Sequence, residues 1–153
     1  MNSVETKLAK LGLTLPDPAA PLASYVPFSK ARDMLFVSGQ LPFRDGTIVT
    51  GKLGETMDTE EGRAAAELCA LGILAQVGAA LNGDFGRLRY CMKLDGFVNA
   101  VPSFTEHPEV INGASDLMAE VFCERGRHAR AAVGCSSLPR GAAVEVSAMF
   151  VID

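Results

Sequence analysis

The chain has 153 residues, 48% hydrophobic and 21% charged, with a net charge of −4, a mean hydropathy of +0.20 and a pI near 5.2. It is too apolar and too weakly charged for a disordered segment, and too poor in clustered cations for binding that rests on neutralising phosphates. Arg125, Arg127 and Arg130 make the tightest group of three among its scattered basic residues, so we expect no nucleic-acid partner.

From the N-terminus, Glu5, Lys7 and Lys10 come before any sustained apolar run, which reads as no secretory signal. The longest uncharged stretch, residues 68–83, is shorter than the roughly 20 residues a bilayer crossing needs. We therefore expect a cytoplasmic protein with no membrane partner, one domain over residues 1–153 in which residues 1–24 form an N-terminal helix and an extended lead-in. Val4, Leu8 and Leu11 recur at helical spacing before Gly12, and Pro16, Pro18 and Pro21 then keep the chain extended. Residues 34–38 form a dense apolar run that reads as a buried strand, and Asp45-Gly46 ahead of residues 47–49 reads as a hairpin return. Asp58-Thr59-Glu60-Glu61 opens a helix in which Ala64, Leu68, Leu71, Ala75 and Gly78 recur at three- and four-residue steps until Asn82-Gly83. Gly72 and Gly78 inside it, each costing about 1 kcal/mol against Ala, point to close packing. Residues 88–98 read as a strand with Tyr90, Met92 and Leu94 on one face. A second helix starts near Pro108, where Val110, Ala114, Leu117, Val121 and Phe122 make one stripe, and ends by Gly126.

Residues 129–135 and 143–152 are strand-like runs that read as a hairpin across Leu138-Pro139-Arg140-Gly141, with Val144, Val146, Ala148, Phe150 and Ile152 alternating on one face. The order is that of an α+β fold, a largely antiparallel sheet with two helices on one face and the other face in need of a partner. Cys69, Cys91, Cys123 and Cys135 form no CxxC pair and have only His107 and His128 to assist them. They read as four buried thiols, with no metal and no disulfide framework.

Arg130 and Glu145 stand out because their segments are otherwise made of Ala, Val, Gly, Ser and Cys. As a structural feature they would be a cross-strand ion pair. As chemistry, a guanidinium offers a planar fork of donors to a carboxylate, and a glutamate can take a proton from water. By alternation Glu145 lies with Ser147 and Met149 on the face away from the helices, so a second subunit on that face would enclose the pair in a cleft. Tyr25 reads as an edge aromatic or a site residue, Ser38 as a strand end, Gly39 as a point of close ligand approach, and Asn112 as a residue facing away from its own helix's core.

These residues carry a resemblance. Tyr25 with Leu35-Phe36-Val37-Ser38-Gly39-Gln40-Leu41-Pro42, Phe97-Val98-Asn99, the helix holding Asn112, Ala129-Arg130-Ala131-Ala132-Val133, and Leu138-Pro139 leading to Val144-Glu145-Val146 resemble the Rid family, also called YjgF, from about Tyr25 onward. The resemblance implies a chorismate-mutase-like fold, a homotrimer with a cleft at each subunit interface, and hydrolysis of reactive 2-enamine and 2-imine acids to 2-keto acids and ammonia without a cofactor, as in a 2-iminobutanoate/2-iminopropanoate-type deaminase. It makes Arg130 the carboxylate-binding group and Glu145 the group that positions or activates water, with Tyr25, Ser38, Gly39 and Asn112 lining the cleft. Ala132 stands where deaminating members commonly carry a cysteine, so its backbone N–H could serve but a thiol role is lost. A lengthier N-terminal part and residues 99–108 mark a longer branch. The alternatives are a module that binds a keto acid without turnover and, less consistent with the acidic charge, an endoribonuclease.

Overall fold

The computed structural model describes residues 2–153. Helix α1 (Ser3–Lys10) is closed by a capping box between Asn2 and Glu5, and residues 13–20 run without regular structure. Strands β1 (Phe28–Ala31) and β2 (Met34–Gln40) follow, then the short β3 (Phe43–Arg44) and β4 (Thr47–Ile48), helix α2 (Thr59–Ala80), β5 (Leu88–Asn99), α3 (His107–Phe122), β6 (Ala129–Cys135) and β7 (Val144–Ile152). Strands β3 and β4 form a separate pair closed by Asp45 and Gly46, whose φ values of 50° and 79° are those of a type I′ turn. The start of α2 follows from its sequence: the Asp58 side chain accepts from the Glu61 N–H at 2.8 Å, and the Glu61 carboxylate accepts from the Asp58 N–H at 3.1 Å.

The main sheet runs β1-β2-β7-β5-β6. Strands β5 and β6 are parallel, joined through α3, and the other neighbours are antiparallel. The expected hairpin of residues 129–152 does not form: β5 lies between β6 and β7. Because α3 carries the chain back to the start of β5, β6 pairs in parallel, and residues 136–143 then return the chain across β5 to its other edge, a longer path than a hairpin loop takes. The expected shared face of Tyr90, Met92 and Leu94 also fails. Leu94 is buried while Tyr90 and Met92 are exposed, because Leu88, Cys91 and Leu94 oppose Ile152, Phe150 and Ala148 across two register shifts. Each shift is a bulge that inserts one residue into β5 and turns the alternation over.

Helices α2 and α3 cover one face of the sheet. Leu35, Val37, Leu94, Val98, Val144, Val146 and Phe150 from the strands are buried with Ala66, Cys69, Leu74, Ile111, Ala114 and Met118 from the helices, the larger ones each contributing roughly 1.5–3 kcal/mol. By length and composition α2 would cross a bilayer, but its apolar surface lies in this core. Two glycines set the layer spacing. A Cβ at Gly113 would overlap the Arg63 carbonyl oxygen of α2, and one at Gly96 would meet Ile111 Cδ1 at 2.6 Å. Gly72 and Gly78 are likewise close-packed, against the Gln40 side chain and the Phe85 ring. Helix α1 lies outside α3, with Val4 and Leu8 buried and Lys7 Nζ donating to the Val121 carbonyl at 2.8 Å. The expectation of four buried thiols holds for Cys69 and Cys91 only; Cys123 is exposed and Cys135 half-buried. Among the described residues no helix covers the opposite face of the sheet, where Phe36 and Val133 are 40% and 47% exposed.

Candidate functional site

The predicted site residues fall into two groups. The first surrounds Glu145 on the open face. β7 is regular, its burial alternating without a break, so Glu145 stands opposite Phe97 of β5 and away from the helices. On its other side β2 is bulged: Val37 opposes Ala148 and Gln40 opposes Val146, leaving Ser38 and Gly39 between the two pairs. The Glu145 carboxylate lies over this bulge, where a Cβ on residue 39 would overlap its Oε1. Gly39 is thus a requirement of space. Ser38 fixes the incoming chain, its hydroxyl donating to the Val26 carbonyl at 2.7 Å and its N–H to the Pro27 carbonyl at 3.0 Å. Tyr25 is 46% exposed, its hydroxyl accepting from the Leu22 N–H at 3.3 Å, and it shares a small recess with Gly39 and residues 19–22 of the lead-in. The half-buried Glu145 carboxyl is pushed above its ordinary value by desolvation alone. Such a carboxyl is poised to take up a proton and return it.

The second group surrounds Arg130 at the edge of the sheet. Arg130 and Ala132 oppose Leu94 and Gly96, which face the helices, so both point to the α3 side. The Arg130 guanidinium lies along α3, with Nη1 donating to Ser115 Oγ at 3.1 Å and Nη2 to the Pro108 carbonyl at 3.1 Å. Pro108, Asn112 and Ser115 are four and three residues apart, one stripe of the helix, so Asn112 belongs to this group. Ser115 Oγ also lies 2.8 Å from His128 Nε2, and His128 Nδ1 is 2.7 Å from the Gly126 carbonyl. Burial, with a smaller push from the Arg130 charge, holds the His128 ring below its ordinary value.

Within one chain the two groups do not meet. Glu145 and Val133 both oppose Phe97, so Arg130 lies two strands across and three residues along from Glu145, about 14 Å between Cα positions at ordinary sheet spacings, with the side chains on opposite faces. The cross-strand pair is ruled out, and Arg130 does not share the open face with Glu145. Sequence reasoning missed Ser115 and His128. His128 could have been found by alternation from Arg130, whereas Ser115 reaches Arg130 only through the packing of α3 on β6.

Arg130 and Glu145 line none of three cavities. One, of about 710 Å³, runs between residues 14–20, α2 and the β3–β4 hairpin; a second, of about 530 Å³, is lined by residues 54–59, Glu61, Phe104 and Glu106; a third, of about 390 Å³, is lined by Lys52, Phe104, His107 and Cys135 at the end of β6.

Residues 5–150 match the family described as "YjgF/chorismate mutase-like, putative endoribonuclease". The chain is 51% identical over 152 residues to Protein TCP17 of Trypanosoma cruzi, covering 98% of this chain and 94% of that one. Protein Atu1372 of Agrobacterium tumefaciens, a crystal structure of unknown function, superposes with a TM-score of 0.94 at 53% identity, covering 99% of this chain and 93% of that one. A crystal structure described as a putative endoribonuclease from Shewanella oneidensis MR-1 superposes with a TM-score of 0.94 at 36% identity, covering 99% of this chain and all 100% of the other. The α+β architecture, the match over nearly the whole chain and these likenesses place the chain in the YjgF, or Rid, family.

Proposed function

We propose that this protein hydrolyses reactive 2-imine and 2-enamine acids to 2-keto acids and ammonia, at a site completed between neighbouring copies in a homotrimer. The observation that carries this reading is the separation of Arg130 from Glu145. One chain holds a guanidinium whose protein contacts here are a hydroxyl and a backbone carbonyl, and, on the opposite face, a carboxylate raised by desolvation alone. The uncovered apolar face around Phe36 and Val133 gives a second copy a surface to pack on.

In the assembled cleft, Arg130 with Asn112 and Ala132 would come from one subunit, and Glu145 with Gly39, Ser38 and Tyr25 from the next. The substrate carboxylate takes up the guanidinium fork. An enamine first gains a proton at its β carbon and gives one up from nitrogen to become the imine. Glu145 removes a proton from water as the oxygen bonds to the imine carbon, while the imine nitrogen takes a proton from solvent. Glu145 then returns its proton to the amine, and the carbinolamine collapses to the keto acid as its hydroxyl proton passes to solvent, the C–N bond breaks and ammonia leaves. Placement of water and proton transfer together supply roughly 10²- to 10⁴-fold, useful for a substrate that already reacts with water unaided. The family description names an endoribonuclease; at a net charge of −4 the chain has no surplus of cations for a polyphosphate chain.

The test mixes subunits. Arg130→Ala and Glu145→Gln homotrimers are each expected to be inactive on freshly generated imino acids. Unfolded together and refolded at equal amounts, they place an intact Arg130 beside an intact Glu145 in about a quarter of clefts, the product of two independent halves. Recovery of about a quarter of wild-type activity is the expected result. A mixture as inactive as its parents would refute a site shared in this way, and a wild type no faster than the buffer would refute the deaminase reading.

A further inference from the structure

We infer that Ser115 and His128 are positioning residues that hold the Arg130 guanidinium in its carboxylate-binding orientation, and that protonation of His128 releases this hold. The inference rests on Arg130 being the carboxylate-binding group of the proposed site, and it concerns two residues that the resemblance does not assign.

The direction of every hydrogen bond in the chain of contacts is fixed by its far end. The Gly126 carbonyl can only accept, so His128 Nδ1, 2.7 Å away, carries the hydrogen. In the neutral ring Nε2 is then a bare lone pair. Ser115 Oγ, 2.8 Å from that nitrogen, must turn its hydroxyl hydrogen toward it, which leaves the oxygen lone pairs facing Arg130 Nη1 at 3.1 Å. A serine hydroxyl free to rotate is a poor fixed acceptor; one whose hydrogen is committed to a histidine is a good one. The Pro108 carbonyl takes an N–H of Nη2 at 3.1 Å. Of the five N–H groups on a guanidinium, these two contacts use two, and the remaining three include a pair able to grip a carboxylate. The hold is made by neutral groups, so it orients the cation without cancelling its charge.

Protonation reverses the arrangement. The ring then carries hydrogens on both nitrogens, so Ser115 Oγ faces two cationic donors and its own hydrogen must turn elsewhere. The charged groups on the elements beside the ring are engaged: Arg127 with Glu124 on the preceding turn, Arg125 with the Leu88 carbonyl and Asp116 of α3 with Arg63, while Lys93 and Asp95 of β5, paired with each other, lie on the opposite face of the sheet. Arg130 is the charge that acts on the ring. The half-buried ring is disfavoured as a cation by its burial and by Arg130, so the hold is intact at neutral pH and is lost on the acid side of 6.5. Glu145 would act in the opposite sense, since its protonation removes a negative charge from the cleft and favours an anionic ligand.

The experiment is calorimetric binding of pyruvate and 2-oxobutanoate, stable 2-keto acids, to the intact assembly from pH 7.5 to 5, with the assembly state checked at each pH. Wild type should bind at neutral pH, bind more weakly as pH falls, and lose binding in Arg130→Ala. Ser115→Ala should weaken neutral-pH binding by about tenfold and raise KM for imino acids with kcat within about twofold, and Ser115→Thr should restore both. His128→Gln keeps an acceptor for Ser115 but does not titrate, so its binding should not weaken as pH falls over the same range. Binding in Ser115→Ala equal to wild type, or the same acid-side loss in His128→Gln as in wild type, overturns the inference while leaving the carboxylate site standing. Absence of Arg130-dependent binding in wild type overturns the site itself.

Discussion

The two halves of the proposed cleft are built by opposite means. Around Glu145 the sheet makes room: a glycine in a bulge leaves space for a carboxylate that its neighbours do not hold, and desolvation raises its affinity for a proton. Around Arg130 the fold supplies partners, a hydroxyl and a carbonyl from one helix stripe. A group that must exchange protons benefits from being left alone, whereas one that must keep a fixed orientation benefits from being held.

Substitutions sharpen this contrast. The largest loss belongs to the charged groups, where Arg130→Ala or Glu145→Gln should lower kcat/KM by roughly 10²- to 10⁴-fold with circular dichroism and assembly unchanged. Gly39→Ala comes next. The new methyl group displaces the flexible end of Glu145 and leaves backbone alone, so activity should fall by about 10²-fold while the urea midpoint barely moves. A loss of stability as large as the loss of activity would break the account of Gly39 as space for the carboxylate. Gly113→Ala is the reverse control, since its methyl group meets backbone of α2. Stability should drop by about 1–3 kcal/mol, with the kcat of the folded fraction unchanged. Removing a cap remote from both halves, Asp58→Ala, should cost about 1 kcal/mol and no activity.

The smallest expected effects are in the pH dependence of stability, and they have opposite signs. Glu145 binds protons more tightly folded than unfolded, so its contribution is complete below the ordinary value of 4.5 and fades as pH rises through the folded value. His128 binds protons less tightly when folded, so its contribution is present above 6.5 and fades as pH falls through the folded value. Urea titrations should therefore show Glu145→Gln gaining on wild type as pH rises and His128→Gln gaining as pH falls.

Much of this was legible in the sequence where local rules act alone. Asp58 and Glu61 mark the start of α2 because a capping box needs only neighbours in the chain, and the unbroken alternation of β7 puts Glu145 on the open face. Strand partners are set over longer distances. The runs at residues 129–135 and 144–152 carry no sign that β5 will come between them, and the β5 bulges shift its burial pattern in a way period-two counting cannot detect. Strand β1 went unpredicted because it turns into β2 at Arg32-Asp33, where Arg32 has φ 54° without the glycine that usually marks such a turn. The placement of Arg130 with Ser115 needed the packing of α3 on β6, which no short-range pattern encodes.

Strand β6 has a neighbour on one side only. A row of its backbone N–H and C=O groups is therefore unpaired within the chain, along a segment whose one ionisable side chain of fixed charge is Arg130. Such an edge is a template for adding strands from other molecules. Any variant that keeps chains from assembling is therefore expected to lose solubility as well as turnover, with light scattering rising as the population of single chains grows, and Arg130→Ala should worsen it by removing the charge that guards this edge.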